Sequence, residues 1–120
     1  MLHRDIKLEN ILIGEKGNVK LCDFGISQLI NDPNLLIVDK SGTPPYMAPE
    51  SFSEKGFNGF MSDIWSLGVL LYAMVCGKMP FKATNILELE QKIRIGIIEM
   101  PKVHPRSDTP YSEEIISLIK

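Results

Sequence analysis

The sequence predicts an α+β fold that is mainly helical and contains one short β-hairpin. Three observations lead to this prediction. Two short apolar runs, residues 11–13 and 19–22, flank a turn that contains two glycines. A longer segment, residues 63–76, is apolar on nearly every face of a helix. A third segment, residues 86–97, carries isoleucine and leucine at helical spacing.

The hairpin is predicted from its two runs and from its turn. Both runs are rich in isoleucine, valine and leucine, which fit a pleated, half-buried strand. The turn, residues 14–18, reads Gly-Glu-Lys-Gly-Asn, and glycine and asparagine interrupt regular structure.

The first helix is predicted to begin at Ser62 or Asp63, because either side chain can cap it, and to stop at Gly77. Its apolar residues surround the axis almost completely. We therefore expect burial on most of its faces.

Two more helices follow along the chain. Asn85 with Glu88 forms a capping box, and Ile86, Leu89, Ile93 and Ile97 then make an apolar stripe that ends near Gly96. A last helix is predicted to start at residues 112–114 and to carry four apolar residues before the chain ends.

Length and composition limit the possible classes. A chain of 120 residues is about one small domain. Its net charge of −2 gives no reason to expect nucleic acid or an anionic membrane as a partner. No apolar run is predicted to be long enough to span a membrane, since residues 65–75 are too few. Cys22 and Cys76 show no disulfide or metal spacing, and free thiols suit a reducing compartment. We expect a cytoplasmic location, with the nucleus also compatible.

Four motifs occur in a fixed order: HRDIKLEN at 3–10, DFG at 23–25, GTPPYMAPE at 42–50 and DIWSLG at 63–68. Together they resemble the catalytic-loop half of a eukaryotic serine/threonine protein kinase. Within that family, residues 7–12 and 75–81 are similar to the calcium/calmodulin-dependent and AMP-activated group.

The resemblance covers residues 1–120, which we interpret as a partial protein kinase domain with the catalytic loop, Mg-binding loop, activation segment and following helices. It implies the mainly helical C-terminal lobe of the kinase-like fold. The Gly-rich loop, strand lysine and helix glutamate of the N-terminal lobe have no counterpart here, so we expect that lobe to be absent. The missing lobe is then a candidate partner, and helices that would cover the central helix are expected to be lacking.

The resemblance assigns the catalytic roles. Asp5 would accept the proton of the substrate hydroxyl, and Lys7 would balance charge on the transferred phosphoryl group. Thr43 would bond both. Asn10 would hold the second Mg²⁺ through its side-chain oxygen. An alternative is that Asp5 and Asn10 are turn and capping residues.

The implied cofactors are ATP and Mg²⁺. Asp23 would bind the Mg²⁺ that bridges the β- and γ-phosphates, and Phe24 would pack on His3. Leu12 would lie under the adenine ring, or be a core leucine. Lys7 and Asn10 would complete the nucleotide site.

Regulation is expected in the loop at residues 26–41. In active relatives a phosphorylated residue pairs with the arginine equivalent to Arg4. The common phosphosite falls at Asp39. Either Asp39 partly replaces the phosphate by pairing with Arg4, or Ser41 carries the phosphate, or Asp39 is simply a solvated loop acid.

The implied substrate is a protein with a serine or threonine acceptor. Pro45, Tyr46 and Met47 would shape the pocket for the residue after the acceptor. Glu9 would hold a basic residue before the acceptor, although Ala73 lacks the second acid that several relatives add there.

Two functions are therefore considered. The first is a serine/threonine protein kinase fragment that transfers the γ-phosphoryl group of MgATP to protein hydroxyls, with little activity in the isolated chain. The second is a catalytically inert kinase lobe that acts as a protein-binding module or decoy.

Overall fold

The computed structural model describes residues 1–119. Their fold is α+β, as predicted, with three helices and two small antiparallel sheets. The strands are β1 (Ile11–Ile13), β2 (Val19–Leu21), β3 (Leu36–Ile37) and β4 (Phe57–Asn58), and the helices are α1 (Gly59–Cys76), α2 (Ile86–Ile95) and α3 (Glu113–Ile119).

The predicted hairpin is present. Strands β1 and β2 pair antiparallel with Ile11 opposite Leu21 and Ile13 opposite Val19. Within the turn, the Gly14 N–H donates to the Asn18 carbonyl at 2.8 Å. The second strand ends at Leu21, but the Cys22 N–H still donates to the Asn10 carbonyl at 2.9 Å. The ladder therefore runs directly into the loop that carries Asn10.

The second sheet was not predicted. Strand β3 lies inside the segment interpreted as a loop and pairs with β4, Ile37 opposite Phe57. The two residues share a core cluster with Leu2, which is fully buried. Two-residue strands leave no alternation to read in a sequence, and their pairing depends on this distant apolar cluster.

Helix α1 begins four or five residues earlier than predicted. Asn58 is the N-cap, and its Oδ1 accepts hydrogen bonds from the Phe60 and Met61 N–H groups at 3.0 and 3.1 Å. Ser62 and Asp63 are not caps because their side chains bond to other segments. The end is as predicted, with Gly77 in the left-handed region at φ 65°.

The burial of α1 is less complete than predicted. One face, with Val69, Leu70 and Tyr72, is buried, whereas Ile64 and Met74 on other faces are 62% and 54% exposed. Among the described residues α1 therefore presents apolar surface to solvent.

Helix α1 also corrects the prediction about apolar length. With 18 residues and a mean hydropathy of 1.5, it is long and apolar enough to cross a membrane by length and composition. Core helices of globular proteins meet the same criteria. Here the carboxylate of Asp63, on this helix, accepts hydrogen bonds from the N-terminal backbone, which ties α1 to the rest of the described fold.

Helix α2 has the predicted cap. The Glu88 N–H donates to Asn85 Oδ1 at 2.9 Å. The reciprocal bond of the predicted capping box differs, because the Glu88 carboxylate accepts from the N–H of Thr84, one residue before the cap, at 3.0 Å. The prediction of the apolar stripe is correct for two of its four residues. Leu89 and Ile93 are buried, but Ile86 is exposed and Ile97 lies beyond the helix end at Ile95. The left-handed Gly96 ends the helix.

Helix α3 begins where the sequence predicts, and its Ile119 packs with Tyr72 and Cys76 of α1.

Candidate active site

The catalytic loop is fixed to α1 by a single carboxylate. The N–H groups of His3 and Arg4 donate to the two oxygens of Asp63 at 2.8 and 2.9 Å. Arg4 has φ 70°, a left-handed conformation that is uncommon for residues other than glycine. The two bonds hold the backbone just before Asp5, as the resemblance implies.

Asp5, Lys7 and Thr43 form a closed ring of hydrogen bonds. The Thr43 hydroxyl donates to Asp5 Oδ1 at 2.6 Å and accepts from Lys7 Nζ at 2.9 Å. Lys7 Nζ also lies 2.7 Å from Asp5 Oδ2. The structure therefore brings together three residues that are separated by up to 38 positions in the sequence.

The ring keeps both charges in place. Burial raises the pKa of Asp5, but the hydrogen bonds from Lys7 and Thr43 outweigh it, so that this pKa is lowered. The bond to the Asp5 carboxylate in turn raises the pKa of Lys7. At neutral pH the site holds a carboxylate and an ammonium group side by side, which suits proton acceptance next to a transferred anion.

Asn10 is buried and turned toward Asp5. Its Nδ2 donates to the Asp5 carbonyl at 2.8 Å and to Asp5 Oδ2 at 3.3 Å. This geometry supports a local structural role. It also leaves Asn10 Oδ1 without a hydrogen-bond donor among residues 1–119, so the oxygen that a metal would use is free.

Asp23 follows the hairpin directly. It is exposed, has φ 62° and accepts one hydrogen bond, from the Gly25 N–H at 3.2 Å. The Phe24 ring packs on His3 with centroids 4.8 Å apart, as predicted, and His3 Nε2 lies 3.0 Å from the Cys22 carbonyl.

The residues present fit a magnesium ion. Because Cys22 bonds to the Asn10 backbone, the hairpin brings Asn10 and Asp23 to its open end. An amide oxygen and a carboxylate are the hard donors that Mg²⁺ prefers, with water and phosphate completing the coordination. No group of three or more His, Cys, Asp or Glu side chains suited to a metal occurs in the described part of the chain, so a closed protein cage is not indicated there.

Leu12 lies on β1, opposite Lys20, and its side chain is 52% exposed. It is therefore not a core leucine in residues 1–119. Its place under an adenine ring stays a prediction.

Arg4 and Asp39 are paired. Arg4 Nη2 donates to Asp39 Oδ2 at 2.5 Å and to its carbonyl at 3.2 Å. The Ser41 hydroxyl and N–H both donate to Asp39 Oδ1, at 2.6 and 3.0 Å. The hydrogen bond from Ser41, followed by that from Arg4, lowers the pKa of Asp39 to about 2. Asp39 is thus exposed but partnered.

The candidate substrate-binding residues differ in their exposure to solvent. Glu9 is exposed and Pro45 half-buried, whereas Tyr46 and Met47 are buried. The Tyr46 side chain packs with Val69 in the core. Among these residues Glu9 and Pro45 keep accessible surface, and all four substrate-binding assignments stay predictions.

The sequence interpretation missed Ser66. This buried serine donates to the Tyr46 carbonyl at 2.8 Å and to the Ser62 carbonyl at 3.1 Å, and so anchors the activation segment to α1. A polar residue inside an otherwise apolar helical run was the available signal.

Comparisons with known proteins match the whole chain to one protein family. A family model for the protein kinase domain matches residues 1–120. The chain is 48% identical over 103 residues to CBL-interacting protein kinase 17 of Oryza sativa subsp. japonica, covering 83% of this chain and 22% of that protein. It is 43% identical over 101 residues to CBL-interacting serine/threonine-protein kinase 15 of Arabidopsis thaliana, covering 82% and 24%.

A third relative, serine/threonine protein kinase OSK3 of Oryza sativa subsp. indica, is 46% identical over 101 residues, covering 84% and 20%. The chain therefore spans less than a quarter of the length of these curated relatives.

Proposed function

Because the chain belongs to the protein kinase domain family, we propose that it contributes the catalytic-loop part of a serine/threonine protein kinase. Its relatives are named serine/threonine protein kinases, and kinases of this family generally use ATP and a divalent metal. The observation that carries the proposal is the ring of hydrogen bonds joining Asp5, Lys7 and Thr43.

The proposed reaction transfers the γ-phosphoryl group of ATP to a serine or threonine hydroxyl of a protein. The hydroxyl oxygen forms a bond to the γ-phosphorus while the bond from that phosphorus to the bridging oxygen breaks. Asp5 takes the hydroxyl proton on a carboxylate oxygen. The Lys7 ammonium group faces the charge that moves with the phosphoryl group, and Thr43 keeps both side chains aligned.

Asn10 Oδ1 and the Asp23 carboxylate would hold Mg²⁺ in this site. When bound, Mg²⁺ neutralises the charge on the nucleotide phosphates. The exposed Leu12 on β1 offers an apolar contact for the adenine ring.

Glu9 supports a weak preference for a basic residue before the acceptor, because its carboxylate is exposed beside the catalytic loop. Ala73 cannot add a second charge. Residues 45–47 would shape the pocket for the residue after the acceptor, with Pro45 the more accessible of the three.

We further propose that Asp39 takes the place of an activating phosphate. Its carboxylate meets Arg4 with the geometry of an ion pair, next to the left-handed residue that precedes Asp5. If this is correct, activity does not need phosphate on Ser41. Mass spectrometry of active protein tests it: a requirement for phosphorylated Ser41 would contradict the proposal.

The experiment for the catalytic proposal measures ³²P transfer from Mg·[γ-³²P]ATP to a peptide with one serine. We expect slow transfer by the 120-residue chain and a loss of about 10²- to 10⁴-fold in Asp5→Asn, since a general base contributes on that order. Asp108→Asn is the matched control, because Asp108 is exposed and outside the ring. Transfer that persists in Asp5→Asn would contradict the assigned role.

A second function is favoured by the exposed apolar face of α1. Ile64, Leu67 and Met74 present apolar surface of the kind that marks interaction sites. The chain would then bind a protein, such as the N-terminal lobe of a kinase or a substrate, without phosphorylating it. That two relatives are named as CBL-interacting is compatible with protein partners. Absence of transfer, with peptide binding unchanged by Asp5→Asn, would favour this function over the first.

We propose a cytoplasmic or nuclear location. Cys22 and Cys76 are both free thiols, which persist in reducing compartments.

A further inference from the structure

A groove separate from the active site lies between the loop that follows α1 and the C-terminal end of α2. We call it the α2 groove. It encloses about 410 Å³, within the usual range of about 300–1,000 Å³ for binding pockets. Its apolar lining includes Met79, Phe81, Ile95 and Ile97, and its rim includes Lys78 and Lys82.

Two isoleucines of the apolar lining are open to solvent. Ile95 and Ile97 stand on either side of the left-handed Gly96 that ends α2, and they are 66% and 73% exposed. Phe81 beneath them is buried against Leu89 and Ile93, so the floor is part of the core. A fixed floor with exposed apolar edges suits the burial of a partner's apolar side chains.

The walls of the groove are held together by Lys92. Its Nζ donates to the Lys82 carbonyl at 2.6 Å and lies 2.7 Å from Glu88 Oε1, which ties α2 to the loop after α1. These bonds use the charge of Lys92 within the chain. They also form the groove before any partner arrives, which reduces the ordering cost of binding.

The other charged residues at the groove favour a negatively charged partner. Lys78 and Lys82 are exposed, and within residues 1–119 neither pairs with a carboxylate. Glu99 is the single acidic residue among those lining the groove. The rim is therefore positive although the chain as a whole carries −2. A net negative chain does not favour nucleic acid or anionic lipid, whereas a short acidic segment needs only this local positive rim.

We propose that the α2 groove binds an acidic, amphipathic segment of a partner protein, with apolar side chains on the isoleucines and carboxylates on Lys78 and Lys82. The groove shares no lining residue with the Asp5–Lys7–Thr43 ring, so binding leaves the ring open. The proposal does not depend on catalysis and stands or fails separately from the phosphotransfer assay.

The test is fluorescence anisotropy of the 120-residue chain with a labelled 14-residue probe peptide. The probe carries leucine at helical i, i+3 and i+7 positions and glutamate elsewhere; a second probe has glutamine in place of glutamate. We expect saturable binding of the acidic probe. We also expect about tenfold weaker binding for the double variant Lys78→Glu/Lys82→Glu, and weakening by salt, because exposed ion pairs of modest strength are reversed.

The matched control is Lys20→Glu/Lys55→Glu, which makes the same change of charge at exposed lysines outside the groove and should alter binding less than about twofold. Ile97→Asp should weaken both probes. If circular dichroism shows that a glutamate variant is unfolded, Lys78→Gln/Lys82→Gln gives the same test with a smaller expected loss of about threefold.

Three results would overturn the proposal. The first is absence of saturable binding. The second is equal weakening by the two double variants, which would indicate only general electrostatics. The third is self-association of the chain that Ile97→Asp abolishes, since the groove would then be occupied by a second copy.

Discussion

Replacing Asp63 by asparagine should destabilise the chain by about 2 kcal/mol. Both carboxylate oxygens accept a backbone N–H, from His3 and Arg4. Hydrogen bonds to a charged group contribute about 1.5–3 kcal/mol each. In Asp63→Asn one oxygen becomes an NH₂ group that cannot accept, and the other bond loses its charge. Because Asp63 is half-buried, we take the lower value for each hydrogen bond. The variant should lose one of the two hydrogen bonds in full and part of the energy of the other.

Urea unfolding followed by tryptophan fluorescence measures this change. Trp65 is the single tryptophan, lies two residues from Asp63 and stacks with Phe81 at a centroid distance of 6.2 Å. With a slope of about 1–3 kcal/mol per molar, the midpoint should fall by about 1 M. Asp108→Asn is the control, because Asp108 is exposed and has a left-handed φ of 52° that asparagine tolerates. A midpoint shift no larger than that of the control would refute the reasoning.

Three further predictions concern the caps and the titrating groups. The pKa of Asp39 is lowered to about 2 from an ordinary value near 4. The stabilisation contributed by the Asp39 carboxylate should therefore be complete above about pH 4 and be lost as the pH falls toward 2. A ¹³C carboxyl titration of Asp39 with a midpoint near 4 would contradict this. Asn58→Ala should cost about 1 kcal/mol in urea unfolding and Asn58→Ser less, since a serine hydroxyl can keep the cap to Phe60 and Met61 while both variants lose the Nδ2 bond to the Pro33 carbonyl; equal losses would exclude the capping role. Thr43→Val should raise the pKa of Asp5 by removing a hydrogen bond to its carboxylate, while Thr43→Ser should not, and the same NMR titration decides it.

The parts of the fold that were predictable are those with a local cause. Asn85, Gly77 and Gly96 act through bonds or backbone angles within one turn, and all three were assigned correctly. The start of α1 was misplaced because Ser62 and Asp63 are both residue types that can cap a helix. In the structure their side chains bond to Ser51 and to the catalytic loop, which are long-range contacts that a sequence does not display.

The structure brings together three of the predicted site residues, but their distances could not be predicted and their catalytic roles stay predictions. Motif order identified Asp5, Lys7 and Thr43, but their distances depend on how the activation segment is anchored. That anchor includes Ser66, which bonds the Tyr46 carbonyl, and the β3–β4 pair. Neither has a periodic pattern, because each is a long-range contact of one or two residues.

The contacts of Asp39 with Arg4 and Ser41 also determine what phosphorylation of Ser41 would change. The carboxylate already occupies Arg4, and the Ser41 hydroxyl donates to the same carboxylate at 2.6 Å. A phosphate on Ser41 would abolish that donor and bring a second anion, of about −1.5 to −2, against the first. The Arg4 guanidinium would then face two anions on the same segment, the Asp39 carboxylate and the Ser41 phosphate. Phosphorylation of Ser41 would therefore bring a second anion to an arginine that already has a carboxylate partner. It would not supply Arg4 with its first counter-ion.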